Sequence, residues 1–494
     1  MPDTIQKRRI IFRADGNSRI GLGHVVRSLA LAAMLREHFE CVFAIQEPDD
    51  ALKAQIQEVC LGIISLPVCA PSEERYTYEL AAYTSEEEIV VLDGYTFDTA
   101  YQKTIKSRGA QLVCIDDIHA YPFVADVIIN HAGGVDAATY KTAAYTKLLL
   151  GPQYALLRSP FLSASKQNRS IPKGAPTLFL NLGGADPENY TLKLAKEIDG
   201  LQKFESIEIV VGSSYKHEAE LTDWLQDHPT INLHSNLDAA QMCRLMQQAA
   251  VAVTSASGVA YEYAAVGGLL FILQTADNQA ALNKFFIQAG IAKAYSAQSL
   301  LLDIAVQFED NVAVQKLYFD GKSDKRLQEI FQQLDLSASL TLREATITDL
   351  HLVFDWNNDP EVRQRSFNPE PILLENHTRW FKAKLEDATC KFYIAEVAGT
   401  PAAQIRFDIK GDEATISYLV SRDFRGKGIA HVVLIKGLNK FKTESKGINL
   451  VIGLAQRENI ASVRAILKAG FMYGTPDLNH PEAYRFVLEL PQKV

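Results

Sequence analysis

The sequence predicts an α/β protein with two doubly wound parallel sheets, followed by a smaller α+β domain. In residues 1–163, short apolar runs alternate with amphipathic stretches, which is the pattern of parallel βαβ units. The alternation begins again after a polar, proline-bearing stretch at residues 163–176. Beyond residue 340, three predicted strands follow one another as a meander, which indicates a mainly antiparallel sheet.

The composition is that of a soluble globular protein. The 494 residues are 47% hydrophobic and 22% charged, and this length suits two to four domains. The net charge of -9 argues against nucleic acid as the main partner. We find no signal core in residues 1–9 and no run of the roughly 20 apolar residues that a membrane span needs. We therefore expect a cytoplasmic protein with no membrane partner.

The cysteines predict neither a disulfide framework nor a metal site. Six are scattered along the chain without a CxxC pair or zinc-like spacing. We expect reduced, mostly buried thiols and no metal cofactor.

The first domain, residues 1–163, contains five predicted strands. They span residues 9–13, 40–45, 89–92, 111–115 and 127–129. Several end in polar residues, including Asp93 and Asp116, and ligands of such sheets bind beyond the carboxyl ends of the strands. The first strand leads through a glycine loop to a helix that starts near His24. This order places an imidazole beside backbone N–H groups that attract anions.

The second domain, residues 164–335, has predicted strands at 177–182, 207–211, 231–233, 250–254 and 269–273. Gly183 and Gly184 follow the first of them, where backbone N–H groups can approach a pyrophosphate, although such a pair is also typical of a plain turn. Ser257 and Gly258 precede another helix, and Glu262 lies one turn inside it. That carboxylate can accept from ribose hydroxyls or complement the helix dipole.

A further polar loop, residues 274–279, follows the last of these strands. Its amides, Asn278 and Gln279, can fix sugar groups or orient water, whereas Asp277 or Asn278 can also serve as a helix N-cap. Both roles are compatible.

Several motifs in residues 8–330 resemble the UDP-sugar hydrolases of pseudaminic acid biosynthesis, the PseG type. The motifs are RAD at 13–15, IGLGHVVR at 20–27, LDGY at 92–95, IDD at 115–117, LLGPQYALLR at 149–158, NLGGAD at 181–186 and ADNQ at 276–279. The resemblance implies two Rossmann-like domains in a GT-B arrangement, as in glycosyltransferases, with the sugar passed to water and no metal required.

The resemblance also implies residue roles. Cleavage of UDP-2,4-diacetamido-2,4,6-trideoxy-β-L-altropyranose would use His24 as general base, with Asn278 and Tyr95 at the sugar or water. An imidazole suits this role because it titrates near neutral pH. The implied binding residues are Asp15, Gly23, Arg27, Gly183, Gly184, Ser257, Gly258, Glu262 and Gln279, with Arg27 alternatively structural.

The third domain, residues 336–494, resembles the GNAT acetyltransferases. A strand at 415–420 is followed by the glycine turn RGKGIA at 425–430 and a helix at 431–441. Further on, Asn459 follows a strand at 450–455, and Gly470-Phe471 closes the next helix. The resemblance implies acetyl-CoA as cosubstrate, bound by Leu419, Val420, Arg425, Gly426, Lys427, Gly428, Ile429, Ala430 and Asn459.

One departure from the GNAT pattern concerns the general acid. Many members carry a tyrosine seven residues after the asparagine, and this chain has Ile466 there. Tyr473 and Tyr484 are alternative donors, though each can equally be a packing residue. A carboxylate such as Glu458, or water, can take the proton that the attacking amine loses.

The acceptor side resembles the PseH-type N-acetyltransferases, on the residues DWNN at 355–358, VRQRSF at 362–367 and HTRW at 377–380. Trp356 and Trp380 would stack on a sugar or fill the core. The implied reaction is acetylation of the 4-amino group of UDP-4-amino-4,6-dideoxy-N-acetyl-β-L-altrosamine. The expected partners are thus small molecules, with other enzymes of the pathway as further candidates.

Three alternatives remain open from the sequence. In the first, the N-terminal half is a true GT-B glycosyltransferase with a sugar acceptor. In the second, it acts on a related UDP-trideoxy sugar of legionaminic acid or spore-coat pathways. Alternatively, the GNAT unit would be a binding or regulatory module.

Overall fold

The computed structural model describes residues 7–16, 21–301, 303–478 and 480–490. Within these ranges the chain forms three β-sheets, two of them wholly parallel and one mixed. The predicted fold class is confirmed: two Rossmann-like parallel sheets are followed by a domain with a mixed sheet. No helix in the described ranges is both long and apolar enough to cross a membrane.

The first sheet has the strand order β3-β2-β1-β4-β5-β6-β7. Its elements are β1 Arg9–Ala14, α1 Gly23–Leu35, β2 Glu40–Gln46, α2 Asp50–Val59, β3 Gly62–Leu66, β4 Glu88–Asp93, α3 Thr99–Ser107, β5 Gln111–Ile115, β6 Val127–Asn130, β7 Lys147–Leu150 and α4 Ser159–Ser165. The predicted central strands are present. The strands that the sequence did not predict, β3 and β7, lie at the two edges, where partial exposure weakens the apolar signal.

The second sheet has the order β10-β9-β8-β11-β12-β13. Its elements are β8 Thr177–Asn181, α5 Tyr190–Asp199, β9 Ser206–Val211, α6 Glu218–Leu225, β10 Ile231–Ser235, α7 Ala239–Gln248, β11 Val251–Ser255, α8 Gly258–Val266, β12 Leu269–Leu273, α9 Ala280–Gln288, β13 Lys293–Ala294, α10 Ala297–Leu300, α11 Ile304–Tyr318 and α12 Ser323–Ala338. Strand β13 is only two residues long and was not predicted.

Helix α12 returns to the first sheet and packs against α1. The Gln328 side chain donates to the Met34 carbonyl at 2.7 Å, and the rings of Phe39 and Phe331 are 6.2 Å apart. At the other end of α12, Arg8 pairs with Asp335. This helix therefore links the parallel sheets to the third one.

The third sheet has the order β14-β15-β16-β17-β18-β20-β19. Its elements are β14 Leu340–Glu344, α13 Leu350–Asn357, α14 Pro360–Gln364, α15 Leu374–Glu386, β15 Cys390–Val397, β16 Thr400–Lys410, β17 Glu413–Val420, α16 Ala430–Glu444, β18 Leu450–Gln456, α17 Ile460–Lys468, β19 Met472–Tyr473 and β20 Ala483–Glu489. Its neighbouring strands are antiparallel except for the parallel pair β17–β18.

The strands β17 and β18 diverge before they end. Their pairing runs from Glu413 with Leu450 to Ile416 with Gly453, although β17 continues to Val420. This divergence opens the sheet beside the glycine turn.

The cysteines agree with the prediction of reduced thiols. All six are free and buried.

Candidate active sites

The first candidate site lies at the carboxyl end of the first sheet. Helix α1 begins at Gly23, so His24 is its second residue and lies close to the end of β4, where Asp93 is the last residue. No atom of the described residues lies within 4 Å of a Cβ built on Gly23. Residues 17–20, which precede this turn in the sequence motif, lie outside the described residues.

Asp93 is the acceptor around which this site is arranged. It is fully buried and accepts from His24 Nδ1 at 2.7 Å, from Arg27 Nε and Nη2 at 2.8 and 2.6 Å, and from Ser28 Oγ at 3.1 Å. Burial alone would favour the protonated acid, but the charge of Arg27 and these hydrogen bonds outweigh it and hold the pKa of Asp93 below its usual range. Asp93 is therefore ionised.

The ionised carboxylate fixes the tautomer of His24. A carboxylate can only accept, so Nδ1 carries the proton that it donates to Asp93. In the neutral imidazole Nε2 then has the free lone pair. This is the arrangement of a general base with an orienting carboxylate.

Arg27 and Tyr95 close a ring of contacts around this pair. Arg27 Nη1 donates to Asp117 at 2.8 Å. Burial and the nearby negative charge of Asp117 raise the pKa of Tyr95. The ring of Tyr95 in turn meets that of His24 edge-on, with centroids 4.7 Å apart. The structure thus groups three residues predicted from the sequence, His24, Arg27 and Tyr95, beside the carboxylates of Asp93 and Asp117.

Asp15, also predicted to bind substrate, is held by the protein itself. Its carboxylate pairs with the buried Arg13 and accepts from the Gln46 backbone N–H at 3.0 Å. Arg13 also donates to Glu79 at 2.8 Å. These contacts tie the end of β1 to β2.

The loops of the second sheet bring the predicted glycines to its carboxyl end. Gly183 has a φ of 97° and its N–H donates to Asn181 Oδ1 at 3.1 Å. Gly184 lies so close to Gly212 that a Cβ on Gly212 would come within 2.6 Å of it. Two backbone loops therefore pack together with little side-chain bulk, as a phosphate cradle requires.

Helix α8 begins at Gly258, and Ser257 is its N-cap. The Ser257 and Ser255 hydroxyls lie 2.9 Å apart. Glu262 forms a bidentate ion pair with Arg158, whose Nε and Nη2 donate to the two carboxylate oxygens at 2.6 and 2.8 Å. The carboxylate is thus held by a protein cation.

Asn278 and Gln279 lie in a short 3-10 turn, Asp277–Gln279, ahead of α9. The Gln279 side-chain oxygen accepts from the Thr275 backbone N–H at 2.8 Å and closes this loop. Asn278 is exposed. Neither alternative cap, Asp277 or Asn278, is at the N-cap of α9, which is Gln279.

His131 connects the two parallel sheets; the sequence indicated it as a polar residue at a strand end but not as a site residue. It follows β6, its ring centroid lies 5.1 Å from that of Tyr261 in α8, and its carbonyl accepts from the Tyr261 hydroxyl at 3.3 Å. Its Nδ1 is buried and finds no hydrogen-bond partner within the described part of the chain. Burial, helped by the charge of Arg27, lowers the pKa of His131 to about 4. A polar residue after a buried strand was the signal that could have identified it.

The second candidate site surrounds the glycine turn before α16. Gly426 and Gly428 have φ values of 75° and 79°, a region that side-chain-bearing residues rarely adopt. None of the atoms in the described ranges lies within 4 Å of a Cβ built on Gly426. The turn therefore leaves open space before the N-terminus of α16, where Lys427, Ile429 and Ala430 also lie.

Arg425 faces the N-terminus of α14. It donates from Nε to the Val420 carbonyl at 3.1 Å and pairs with Asp359 at 2.9 Å and Glu361 at 3.0 Å. Its guanidinium therefore joins the turn, the end of β17 and α14.

Asn459 lies at the N-terminus of α17. Its side-chain oxygen accepts from the Ser462 N–H and from Arg365, both at 3.1 Å. Where β17 and β18 have separated, Tyr418 reaches α17, with its hydroxyl 2.9 Å from Ser462 Oγ. Tyr418 was not singled out from the sequence because nothing in its local pattern marks it.

The remaining predicted residues of this domain divide into core and surface. Ile466 is 1% exposed and belongs to the core, whereas Glu458 is exposed. Trp356 and Trp380 pack against a small apolar cluster under α13 and α15. The other candidate acids, Tyr473 and Tyr484, are on the surface with ring centroids 5.2 Å apart.

Acetyl-CoA fits the second site on two observations: the open turn with its positive-φ glycines, and the divergence of β17 from β18. Among the residues that the structure describes, no three His, Cys, Asp or Glu side chains are grouped so that they could hold a metal ion.

Comparison with known proteins assigns the C-terminal region. Residues 339–472 match the family described as "Acetyltransferase (GNAT) domain". A spermidine N-acetyltransferase from Vibrio cholerae, solved with CoA and spermine, is 16% identical and covers 31% of this chain and 96% of its own, with a TM-score of 0.29. The family match by itself identifies residues 339–472 as a GNAT domain.

The N-terminal half resembles enzymes of sugar nucleotides and polysaccharides. It is 29% identical over 259 residues to the UDP-2,4-diacetamido-2,4,6-trideoxy-beta-L-altropyranose hydrolase of Campylobacter jejuni, across 51% of this chain and 87% of that protein. It is 23% identical over 284 residues to the spore coat polysaccharide biosynthesis protein SpsG of Bacillus subtilis, across 56% and 81%.

A third relative aligns over more of the chain. It is an uncharacterized protein of Methanocaldococcus jannaschii, 23% identical over 398 residues, which are 76% of this chain and 78% of the relative. The chain thus combines a half similar to a UDP-sugar hydrolase with an acetyltransferase domain.

Proposed function

We propose that this protein is a bifunctional enzyme of pseudaminic acid biosynthesis. Residues 1–163 and 164–335 form the hydrolase, and residues 336–494 form the N-acetyltransferase. The hydrolase cleaves UDP-2,4-diacetamido-2,4,6-trideoxy-β-L-altropyranose to UDP and 2,4-diacetamido-2,4,6-trideoxy-L-altrose, without a metal. The protein acts in the cytoplasm, which suits its free thiols.

The His24–Asp93 contact is the observation that carries the hydrolase proposal. With Nδ1 bound to Asp93 at 2.7 Å, His24 Nε2 takes a proton from water as the water oxygen bonds to the anomeric carbon. The bond between that carbon and the UDP oxygen breaks, and UDP leaves with the electron pair. Backbone N–H groups at Gly184 and the start of α8 stabilise the departing diphosphate, while Gly183, whose N–H donates to Asn181, shapes the turn.

Tyr95 and Asn278 act on the sugar side of this reaction. Tyr95 is 53% exposed, next to His24, so its hydroxyl is available to the sugar or the water. Asn278 comes from the opposite sheet and also has an exposed side chain. In this proposal Gln279 and Asp15 shape the loops, because their side chains already bind protein groups.

The acetyltransferase acts on the 4-amino group of UDP-4-amino-4,6-dideoxy-N-acetyl-β-L-altrosamine. The amine nitrogen bonds to the acetyl carbonyl carbon, the carbon–sulfur bond breaks, and the CoA thiolate leaves with the electron pair. The proton that the amine nitrogen loses goes to water or to the exposed carboxylate of Glu458. The turn Gly426–Gly428 and the N-terminus of α16 hold the cosubstrate pyrophosphate. Leu419 and Val420 lie beyond the last β17–β18 pair, at the gap that takes its pantetheine arm. The Val420 carbonyl accepts from Arg425, so the Val420 N–H is the backbone group offered to this arm.

The two activities are consecutive, since the acetylated sugar nucleotide is the substrate of the hydrolase. Their fusion in one chain raises the effective concentration of the intermediate near the second site.

Mass spectrometry of products from the 4-amino sugar nucleotide tests both steps at once. With acetyl-CoA present, we expect the diacetamido sugar, UDP and free CoA. Without acetyl-CoA, no diacetamido product should form. If UDP appears only after a sugar acceptor is added, the N-terminal half is a glycosyltransferase.

A further inference from the structure

The central sheet of the acetyltransferase contains an amide that the fold leaves unsatisfied. Gln404 lies in the middle of β16 and is only 5% exposed. Its side-chain oxygen is buried and has no hydrogen-bond partner among the residues that the structure describes. A buried acceptor without a donor destabilises a fold, and an apolar residue would avoid that cost. A polar residue at such a place therefore needs another explanation.

Gln404 lies on the sheet face opposite α16. Its strand neighbours Ala403 and Ile405 belong to the core that includes residues of α16, so the side chain of Gln404 points the other way. Its partner on β15 is Ile394, which packs with Val353 of α13 and Phe381 of α15. The unsatisfied amide is thus on the face covered by the acceptor-side helices.

Gln404 is also next to the divergence of the sheet. Its partner on β17 is Leu419, three residues beyond the last pair between β17 and β18. Neighbouring strands are about 4.8 Å apart. Because α16 and the glycine turn occupy the other face, an acceptor amine has to approach the acetyl group from the face that carries Gln404.

We propose that Gln404 binds the amine that is acetylated. Its side-chain oxygen accepts one N–H of the neutral primary amine, which leaves the nitrogen lone pair directed at the thioester carbon. The amide does not remove the proton; it orients the nucleophile. This inference rests on the proposed acetyltransferase function and names a specific contact to its substrate.

The variant Gln404→Met tests this contact, because Met has a similar length and no strong acceptor. We expect KM for the 4-amino sugar nucleotide to rise roughly tenfold, the effect of one lost hydrogen bond, while KM for acetyl-CoA stays unchanged. The melting temperature should stay equal or rise, since an unsatisfied group is removed. A lower melting temperature would overturn the proposal, since it would mean that the protein satisfies the amide.

Gln315→Met is a matched control. Gln315 is a buried glutamine of α11 whose amide is satisfied: it accepts from the Gly268 N–H at 3.0 Å and donates to the carbonyls of Gly268 and Ile291. We expect this variant to lower the melting temperature and to leave the KM for the amine unchanged.

The failure of this inference differs from failure of the proposed function. If the wild-type protein acetylates the amine and Gln404→Met keeps the wild-type KM for it, only the role of Gln404 is wrong. If the wild-type protein acetylates no primary amine, the proposed transferase function fails and the role of Gln404 fails with it.

Discussion

His24 Nδ1 lies 2.7 Å from Asp93 Oδ1, and the carboxylate that receives this contact is fully buried at the end of β4. Arg27 neutralises the same carboxylate, so its charge is retained inside the protein. The pair fixes which nitrogen of His24 is protonated. The hydrogen bond joins His24, which the sequence predicted as a catalytic residue, to Asp93, which the sequence indicated as a polar residue at the end of a strand.

Asp93→Asn should lower kcat for UDP release by roughly 10²-fold or more, because His24 loses the acceptor that selects its tautomer. Steady-state assays of UDP formation measure this. Ser28→Ala is the matched control: it removes a 3.1 Å hydrogen bond to Asp93 and leaves the His24–Asp93 hydrogen bond in place. Equal losses in both variants would mean that the packing around Asp93, not the tautomer, controls activity.

Arg27→Ala should destabilise the fold by about 3–5 kcal/mol, because it leaves the buried charge of Asp93 without a cation. Denaturant unfolding measures the change. Arg36→Ala, which alters an exposed arginine after the same helix, should change stability by no more than about 0.5 kcal/mol. The double variant Arg27→Ala/Asp93→Asn should be less destabilised than the sum of the single variants, and strict additivity would contradict this coupling.

His131 should make stability depend on pH. Its pKa is lowered from 6.5 to about 4 in the folded chain, so between these values the unfolded chain binds more protons. Above pH 6.5 His131 is neutral in both states and does not change the free energy of unfolding. As the pH falls from 6.5 towards 4, protons bind the unfolded chain first and the fold loses stability. His131→Phe keeps a ring against Tyr261, and its melting temperature should vary less between pH 7 and pH 4 than that of the wild type.

Tyr261→Phe is the control for this measurement. It removes the hydroxyl that donates to the His131 carbonyl but no group that titrates in this range. We expect the wild-type pH dependence in this variant. An unchanged slope in His131→Phe would show that other groups account for the loss of stability in acid.

Gly428→Ala should weaken acetyl-CoA binding, because alanine disfavours the φ of 79° that shapes the turn. Calorimetry should show a loss of tenfold or more in affinity, about 1.4 kcal/mol. Gly399→Ala provides the comparison, since Gly399 has a φ of 78° in the turn between β15 and β16, with nothing near its Cβ. If both variants bind acetyl-CoA with similar affinity, acetyl-CoA does not bind at the turn that contains Gly428.

The sequence predicted the central strands well because their burial on both faces leaves continuous apolar runs, as in β4 and β8. The edge strands β3 and β7 and the two-residue β13 lack that signal. Their pairing depends on neighbours distant in sequence, which local periodicity does not report.

The site was predictable where one local segment supplies several groups. The glycine turn at 425–430 and the start of α1 are such segments. The roles of Asp93, Asp117 and His131 were not predictable, because their contacts are with residues on other elements that are distant in sequence. Conversely, Asp15 and Glu262 carry suitable chemistry, yet Arg13 and Arg158 occupy their carboxylates.

The most direct test of the hydrolase proposal is UDP release in ¹⁸O-labelled water from UDP-2,4-diacetamido-2,4,6-trideoxy-β-L-altropyranose without any sugar acceptor. The wild-type protein should release UDP that contains no ¹⁸O, because water attacks carbon and not phosphorus. His24→Phe, which keeps a ring beside Tyr95, should release essentially none. Wild-type rates in His24→Phe, or ¹⁸O in the β-phosphate of UDP, would contradict the proposal.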